Sequence, residues 1–308
     1  MNKILVIGSL NMDMAINAPR KPDMGETITG SGFMTSPGGK GANQAVAAAR
    51  LGGNVSFLGC VGNDLFGMNL IKNLRDNNVH VDHIKVVENT PTGVAVITIV
   101  DGDNYIILDS GANAVIRPEH ILEFEDLIKY ADVLILQLEI PLETVIAAVE
   151  IAKRNGTKVL LNPAPACKLS DELLSKVDIF TPNESECGII TGIRINTADS
   201  ASKAVRYLRS KGIGQVAITL GGNGVVFNRG DEIVHKGVPS VKVVDTTAAG
   251  DSFSGALAVA LSNQKSIDEA IEFACLVGTI TVTRKGAQNS LPKIDEIIQY
   301  RNLIGGNK

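Results

Sequence analysis

Ile4-Leu5-Val6-Ile7-Gly8-Ser9-Leu10-Asn11-Met12-Asp13 is the stretch from which the fold class is read. Four consecutive apolar residues end at a glycine. The run is far short of the roughly 20 residues of a membrane span and of the about 7–15 of a secretory core, so neither membrane nor export is expected. A strand with no polar face must be apolar on both sides, which is the situation of an inner strand in a parallel sheet. Residues 8–13 then lie at its carboxyl end, where open α/β sheets bind ligands. Asn11 and Asp13 are two apart, so an extended backbone puts both on one face. An amide beside a carboxylate suits vicinal hydroxyls, while an Asx turn is the competing reading.

Further apolar runs at 55–58, 133–137, 159–161, 179–181, 216–219 and 241–245 end in turn residues. Helix-like stretches lie between them at 42–51, 66–77, 142–154, 198–211, 251–263 and 267–282. The alternation predicts an α/β fold with a mostly parallel central sheet flanked by helices. Two regions depart from it. Residues 14–35 carry Pro19, Pro22, Gly25, Gly30 and Gly32 without helical period, and 94–100 and 105–109 read as strands joined by Asp101-Gly102-Asp103-Asn104, a hairpin signal. Together, at about 14–36 and 93–109, they predict a small β-sheet lid or dimer contact on one domain spanning 1–308. The closing Gly305-Gly306-Asn307-Lys308 is expected to fray.

The 308 residues are 44% hydrophobic and 20% charged, which excludes a disordered chain. A net charge of −4 argues against nucleic-acid binding, which needs a basic face, and against a polybasic membrane anchor. Cys60, Cys167, Cys187 and Cys275 form no C-x-x-C and fit buried thiols in a reducing cytoplasm. His80 and His83 lack the further ligands a metal centre needs.

Four other motifs carry chemistry. Thr246-Thr247-Ala248-Ala249-Gly250-Asp251 leads into a helix, and small residues there let amide groups and the helix dipole meet an anion. Asp251 reads either as the helix cap or as a base beside a bound phosphate, accepting a proton from an attacking hydroxyl. Pro37-Gly38-Gly39-Lys40-Gly41-Ala42-Asn43-Gln44 opens another helix; Gly41 stands where a Walker A loop needs Ser or Thr, so that reading fails, while the amides, Lys40 and Asn43 still suit a hydroxyl-rich ligand. Glu139 is a further acid near a strand end. Asn183-Glu184-Ser185-Glu186 reads either as a capping box or as an amide and acid near a metal–nucleotide, and Thr219-Leu220-Gly221-Gly222-Asn223-Gly224 either as a close nucleotide approach or as a hairpin. No G-x-G-x-x-G occurs, which counts against a nicotinamide enzyme.

In this order the motifs resemble the ribokinase-like sugar kinases. The likeness runs from Gly8 to Ser290 and is carried above all by Gly38-Gly39-Lys40-Gly41-Ala42-Asn43-Gln44-Ala45 and Asp245-Thr246-Thr247-Ala248-Ala249-Gly250-Asp251-Ser252-Phe253. The resemblance implies a three-layer fold with a β-lid and ATP-dependent phosphorylation of D-ribose at its 5-hydroxyl, with deoxyribose, another sugar or a nucleoside as alternatives. It implies Asp251 as general base and the amides of Ala248, Ala249 and Gly250 as the anion hole. Asn11, Asp13, Gly39, Lys40, Asn43 and Glu139 correspond to the sugar-binding set. Asn183, Thr219, Gly221, Gly224 and Gly250 correspond to nucleotide contacts, and Glu186 to the acid that organises Mg²⁺ through water. Asp245, Thr247, Thr281, Arg284, Gly286 and Ser290 correspond to ligands of an activating K⁺, several through main-chain oxygens. Cys275 stands where some relatives place a histidine beside the adenine. A homodimer through the lid is implied as well. An Ala, Asn or Gly at position 251 would have pointed to a silent sugar sensor, and Asp251 argues against one.

Overall fold

The computed structural model describes residues 3–101 and 103–305; Gly102 of the expected hairpin turn and 306–308 of the expected frayed end lie outside them. The chain begins β1 (Lys3–Ile7), β2 (Asn11–Asn17), β3 (Ser31–Gly38), α1 (Lys40–Arg50), β4 (Asn54–Gly62), α2 (Leu65–Asp76), β5 (His80–Val87), β6 (Gly93–Val100) and β7 (Asp103–Asp109). It continues α3 (Pro118–Glu123), α4 (Glu125–Lys129), β8 (Val133–Leu136), α5 (Leu142–Asn155), β9 (Lys158–Leu161), α6 (Asp171–Leu174), β10 (Ile179–Phe180), α7 (Glu184–Thr191) and α8 (Ala198–Ser210). It ends β11 (Gln215–Thr219), β12 (Val225–Arg229), β13 (Glu232–Lys236), α9 (Ala249–Ser262), α10 (Ile267–Thr281) and α11 (Ile294–Gly305).

The large sheet has the order β13-β12-β11-β10-β9-β8-β1-β4-β5. Every pair from β11 to β5 is parallel, and β12 and β13 add antiparallel at one edge. β1 sits inside it, as its all-apolar run demands. Successive side chains leave a strand on opposite faces: Ile4 and Val6 join one core with α1, α2, α9 and α10, whereas Leu5 and Ile7 join a second core with α3 to α8. Burying each such side chain contributes roughly 1.5–3 kcal/mol. From β1 the order grows one way through β4 and β5 and the other way through β8 to β11, so a crevice opens beyond the carboxyl ends of β1 and β8.

The second sheet has the order β3-β2-β6-β7, with β2 and β6 parallel and both outer pairs antiparallel. It is formed by the two regions that break the α/β alternation. β2 follows β1 after only three residues, so the small sheet hangs directly over the crevice.

Three expectations need correction. Residues 241–245 form no strand. Val243 and Val244 are 56% and 55% exposed, and the amides of Val244 and Asp245 both donate to the carbonyl of Val282 at the end of α10. The segment does not add to the edge strand β13; the carbonyl at the free end of α10 takes its amides instead. Helix α1 begins at Lys40 rather than at 42, and α9 at Ala249 rather than at 251, which moves Lys40 and Asp251 into first turns. The short helices α3, α4 and α6, strand β5 and the terminal α11 were not marked by the periodicity.

Helices α1 and α9 pack closely. A side-chain carbon at Gly255 would come within 2.8 Å of both Ala47 Cβ and the Gln44 carbonyl. Asp251 is one turn before Gly255, and Asn43 and Gln44 one turn before Ala47. The same glycine therefore brings two amide side chains of α1 to a carboxylate of α9.

Candidate active site

A cleft of about 510 Å³ lies between the two sheets. Asn11, Asp13, Gly39, Lys40, Asn43, Glu139, Asn183, Glu186, Thr219, Thr247, Ala248, Ala249, Gly250 and Asp251 line it. Elements far apart in sequence thus bring together the proposed sugar set, most of the nucleotide set and the anion turn. Gly221, Gly224 and Cys275 lie outside the lining. The segment around Gly221 and Gly224 is the turn from β11 into β12, and a side-chain carbon at Gly224 would overlap the Lys236 carbonyl at 2.0 Å. Both glycines adopt positive φ in that turn, 52° and 88°. Cys275 is buried in α10, and burial pushes its thiol up to about 12.

Asp251 is not a cap. Ala248 begins α9 in the left-handed conformation, φ 61°, without a side-chain cap. The Asp251 carboxylate is only 6% exposed and accepts one bond at each oxygen, from Asn43 Nδ2 and from Gln44 Nε2, both 2.9 Å. Among the amides of the turn, that of Ala249 already donates to the Thr246 carbonyl at 3.2 Å. Asn43 has spent its amino group on Asp251, so its Oδ1 is a buried acceptor with no partner in the protein. An unpartnered acceptor in a cleft wall is open to a donor brought by a ligand.

The sugar-side residues are held by their own bonds. Glu139 Oε2 accepts from Ser9 Oγ at 2.5 Å, from the Lys40 amide at 3.0 Å and from Asn11 Nδ2 at 3.4 Å. Asn113 donates to Asn11 Oδ1 at 2.7 Å. Asn11 and Asp13 share the cleft face of β2. Gly39 adopts φ 89°, and a side-chain carbon there would lie 2.7 Å from the Asn11 amide, so only glycine lets the start of α1 approach β2 this closely.

Charge sets the electrostatics. The described residues lining the cleft include four carboxylates, Asp13, Glu139, Glu186 and Asp251, against the single ammonium of Lys40. Burial, reinforced by the charges of Glu139 and Asp251, raises the Asp13 carboxyl to about 7. Burial also raises Glu186, against the lowering effect of its Asn183 bond and of Lys40. At Lys40 burial acts to lower the pKa, but the carboxylates, Asp251 first, raise it on balance.

Asn183 and Glu186 make the capping box of α7. Asn183 Oδ1 accepts from the Glu186 amide at 2.8 Å, and Glu186 accepts from the Asn183 amide and side chain at 2.8 and 2.9 Å. The box does not remove them from the cleft. Asp245 Oδ1 accepts from Thr247 Oγ1 and N at 2.6 and 2.9 Å, and its Oδ2 from the Gly286 amide at 2.8 Å. Those bonds hold its carboxyl below its ordinary value although burial opposes them. The hydroxyls of Thr281 and Ser290 donate to the carbonyls of Val277 and Ala287, and Arg284 pairs with Glu296.

Sequence reasoning passed over Gln137 and Asn162, which join Gln44 beneath Asp251, and Ala95, Ile97, Ile106 and Leu108 of the small sheet, which wall the cleft. The reading of 94–100 and 105–109 as paired strands held the signal for the second group, since alternate residues of each strand share a face. The first group carries no local signature.

The pfkB family carbohydrate kinase model matches residues 1–294. The chain is 46% identical to the ribokinase of Haemophilus influenzae, over 96% of this chain and 97% of that one. It is 38% identical to the deoxyribokinase of Salmonella typhi, over 97% and 99%. The ribokinase of Arabidopsis thaliana complexed with ribose and ATP superposes with a TM-score of 0.92 at 35% identity, covering 97% of this chain and 98% of that one. The chain belongs to the pfkB family of carbohydrate kinases.

Proposed function

We infer that this chain transfers the γ-phosphoryl group of ATP to the 5-hydroxyl of D-ribose, with Asp251 as general base. The observation that carries the reading is the position of Asp251: a buried carboxylate, held by two amides, in the first turn of a 14-residue helix whose N-terminus opens on the cleft that Asn11, Asp13 and Glu139 line. Its unused lone pairs accept the proton of the attacking hydroxyl. The oxygen attacks phosphorus as the bond to ADP breaks, and the amides of Ala248 and Gly250 with the α9 dipole stabilise the transferring charge, joined by that of Ala249 when it leaves the Thr246 carbonyl. That the Haemophilus relative is a ribokinase, and the Arabidopsis neighbour is complexed with ribose and ATP, supports this substrate pair. The deoxyribokinase relative makes 2-deoxyribose the second reading.

A triphosphate entering an acid-rich cleft needs a cation. Oxygen donors such as Glu186 suit Mg²⁺, bound with ATP and partly through water. The residues around Asp245 fit K⁺: its carboxylate, the hydroxyl oxygens of Thr281 and Ser290, which donate but accept nothing among the described residues, and main-chain oxygens form an oxygen-only donor set, while the Arg284 side chain is paired with Glu296. Bound K⁺ supplies positive charge beside the anion turn.

The face of the small sheet turned away from the cleft carries Val96 and Ile107, paired across strands and 42% and 74% exposed, with Tyr105 next along. We assign this face to a second copy of the chain, in a homodimer. No helix among the described residues is long and apolar enough to cross a membrane, and all four cysteines are free, three of them buried, in keeping with a cytoplasmic enzyme.

Five outcomes test these assignments. ADP release from MgATP with D-ribose exceeds that with 2-deoxyribose, and Asp251→Asn lowers kcat by about 10²–10⁴-fold with sugar affinity retained; near wild-type turnover in the variant removes Asp251 from the mechanism. K⁺ gives faster turnover than Na⁺, and equal rates reject the Asp245 cation site. Because Asp13 ionises near 7, and its carboxylate is the form that accepts two hydroxyls, KM for ribose rises as pH falls below 7, approaching roughly tenfold per pH unit. Asp13→Asn raises KM and flattens that dependence; a slope unchanged in the variant assigns it to another group. Light scattering at micromolar concentration gives a dimer that Ile107→Lys dissociates, and a monomeric parent protein defeats the assignment.

A further inference from the structure

Beneath Asp251 lies a chain of amide side chains whose orientations follow from one another. An ionised carboxylate only accepts hydrogen bonds. Gln44 therefore turns its amino group to Asp251 Oδ1, at 2.9 Å. The second hydrogen of that group goes to Asn162 Oδ1 at 3.0 Å. Gln44 Oε1 then faces Gln137, which must present its own amino group, at 2.7 Å. The cost appears at the end of the chain: Gln137 Oε1 is buried without a partner. Reversing the Gln137 amide would set its oxygen against Gln44 Oε1, two acceptors face to face, and leave both without a donor. On the other branch Asn162 donates to the Thr181 carbonyl at 2.8 Å, and the Thr181 hydroxyl meets Ser254 Oγ at 3.1 Å, one turn beyond Asp251 on α9. Gln44, Gln137, Asn162, Thr181 and Ser254 are all buried.

We propose that Gln44, locked by Gln137, is the positioning residue of the base: it fixes which way the Asp251 carboxylate faces and so which lone pairs meet the substrate hydroxyl. The proposal rests on the reading of Asp251 as the base. Gln44 is not among the residues lining the cleft, so it acts through Asp251. Asn43 holds the other oxygen but also lines the cleft, where its loss would affect sugar binding directly. Gln44 and Gln137 separate the two effects. An orphaned buried oxygen persists in a core only when the alternatives are worse, and here the alternative is a carboxylate held by one amide instead of two.

The test uses the full-length enzyme. Gln44→Leu removes the donor, and Gln137→Leu frees the Gln44 amide to turn over. The expected result is a kcat lowered about 10- to 100-fold in Gln44→Leu, and less in Gln137→Leu, while KM for ribose stays within about twofold. Gln44→Glu sets a second carboxyl against Asp251, and like charges raise the pKa of one member of such a pair. The acidic limb of its kcat–pH profile therefore moves to higher pH, which a purely structural role would not produce. Thermal melting and calorimetric ribose binding confirm that each variant is folded. Folded variants with parent kcat and an unmoved limb overturn the positioning role, as does a loss of kcat matched by an equal loss of ribose binding. Asp251→Asn, assayed beside them, separates the two readings: if it is active the base assignment fails, and if it is inactive while Gln44→Leu is not, only the positioning role fails.

Discussion

A carboxylate buried at the start of a helix has to be met by hydrogen-bond donors or it will not stay charged. At Asp251 the donors are amides from a second helix, and they reach it only because α1 and α9 pack with nothing larger than hydrogen at Gly255. The contact fixes the rest of the site. α1 begins at the crossing of the two sheets, so bringing it to α9 also brings Gly39 against β2, Lys40 against Glu139 and the loop after β1 against both. One close helix pair thus joins the Asp251 carboxylate, the Ala248–Gly250 turn and the wall of Asn11, Asp13 and Glu139.

The acidity of the cleft has the same logic. Carboxylates suit a ligand that offers many hydroxyls, because each ionised oxygen accepts without needing a proton of its own. Their mutual repulsion is the cost, and it adds to burial in raising Asp13. Lys40 and the helix N-termini offset part of it inside the protein, and the cations that accompany a nucleoside triphosphate complete the balance. A polyol and a metal–triphosphate are therefore complementary demands on one charge distribution.

Much of the large sheet was legible in the sequence because burial on both faces leaves continuous apolar runs, and 4–7, 55–58 and 159–161 all proved to be inner strands. The small sheet was legible by contrast, through turn residues where a helix was due. The run at 241–245 looked the same locally and is not a strand, because its amides are taken by the carbonyl that ends α10 rather than by a sheet. Composition cannot report that. The site divides in the same way. Asn11, Lys40, Asn43 and Asp251 sit in Gly-rich or small-residue motifs whose backbone demands are local. Gln44, Gln137 and Asn162 come from three separate elements, and what unites them is the direction of a hydrogen bond, which spacing does not encode.

The two helix starts at the cleft show how one device serves two ligands. Both α1 and α9 follow a residue with positive φ, Gly39 and Ala248, and neither has a side-chain cap, whereas α2, α7, α8 and α10 are capped by Asp64, Asn183, Thr197 and Ser266. At α1 the protein supplies the anion itself: Glu139 takes the Lys40 amide, and Ser9 takes those of Gly41 and Ala42. That end is full, and its charge is spent on fixing Glu139 where a sugar hydroxyl can reach it. At α9 no side chain plays that part, and Ala248 holds a left-handed conformation that costs a non-glycine residue roughly 1–2 kcal/mol. Strain of that kind persists where surrounding structure imposes it and function uses it. Here the strained turn sets the N-terminus of a long helix on the cleft beside the buried Asp251 carboxylate, so that a positive helix end and a negative side chain face the same space.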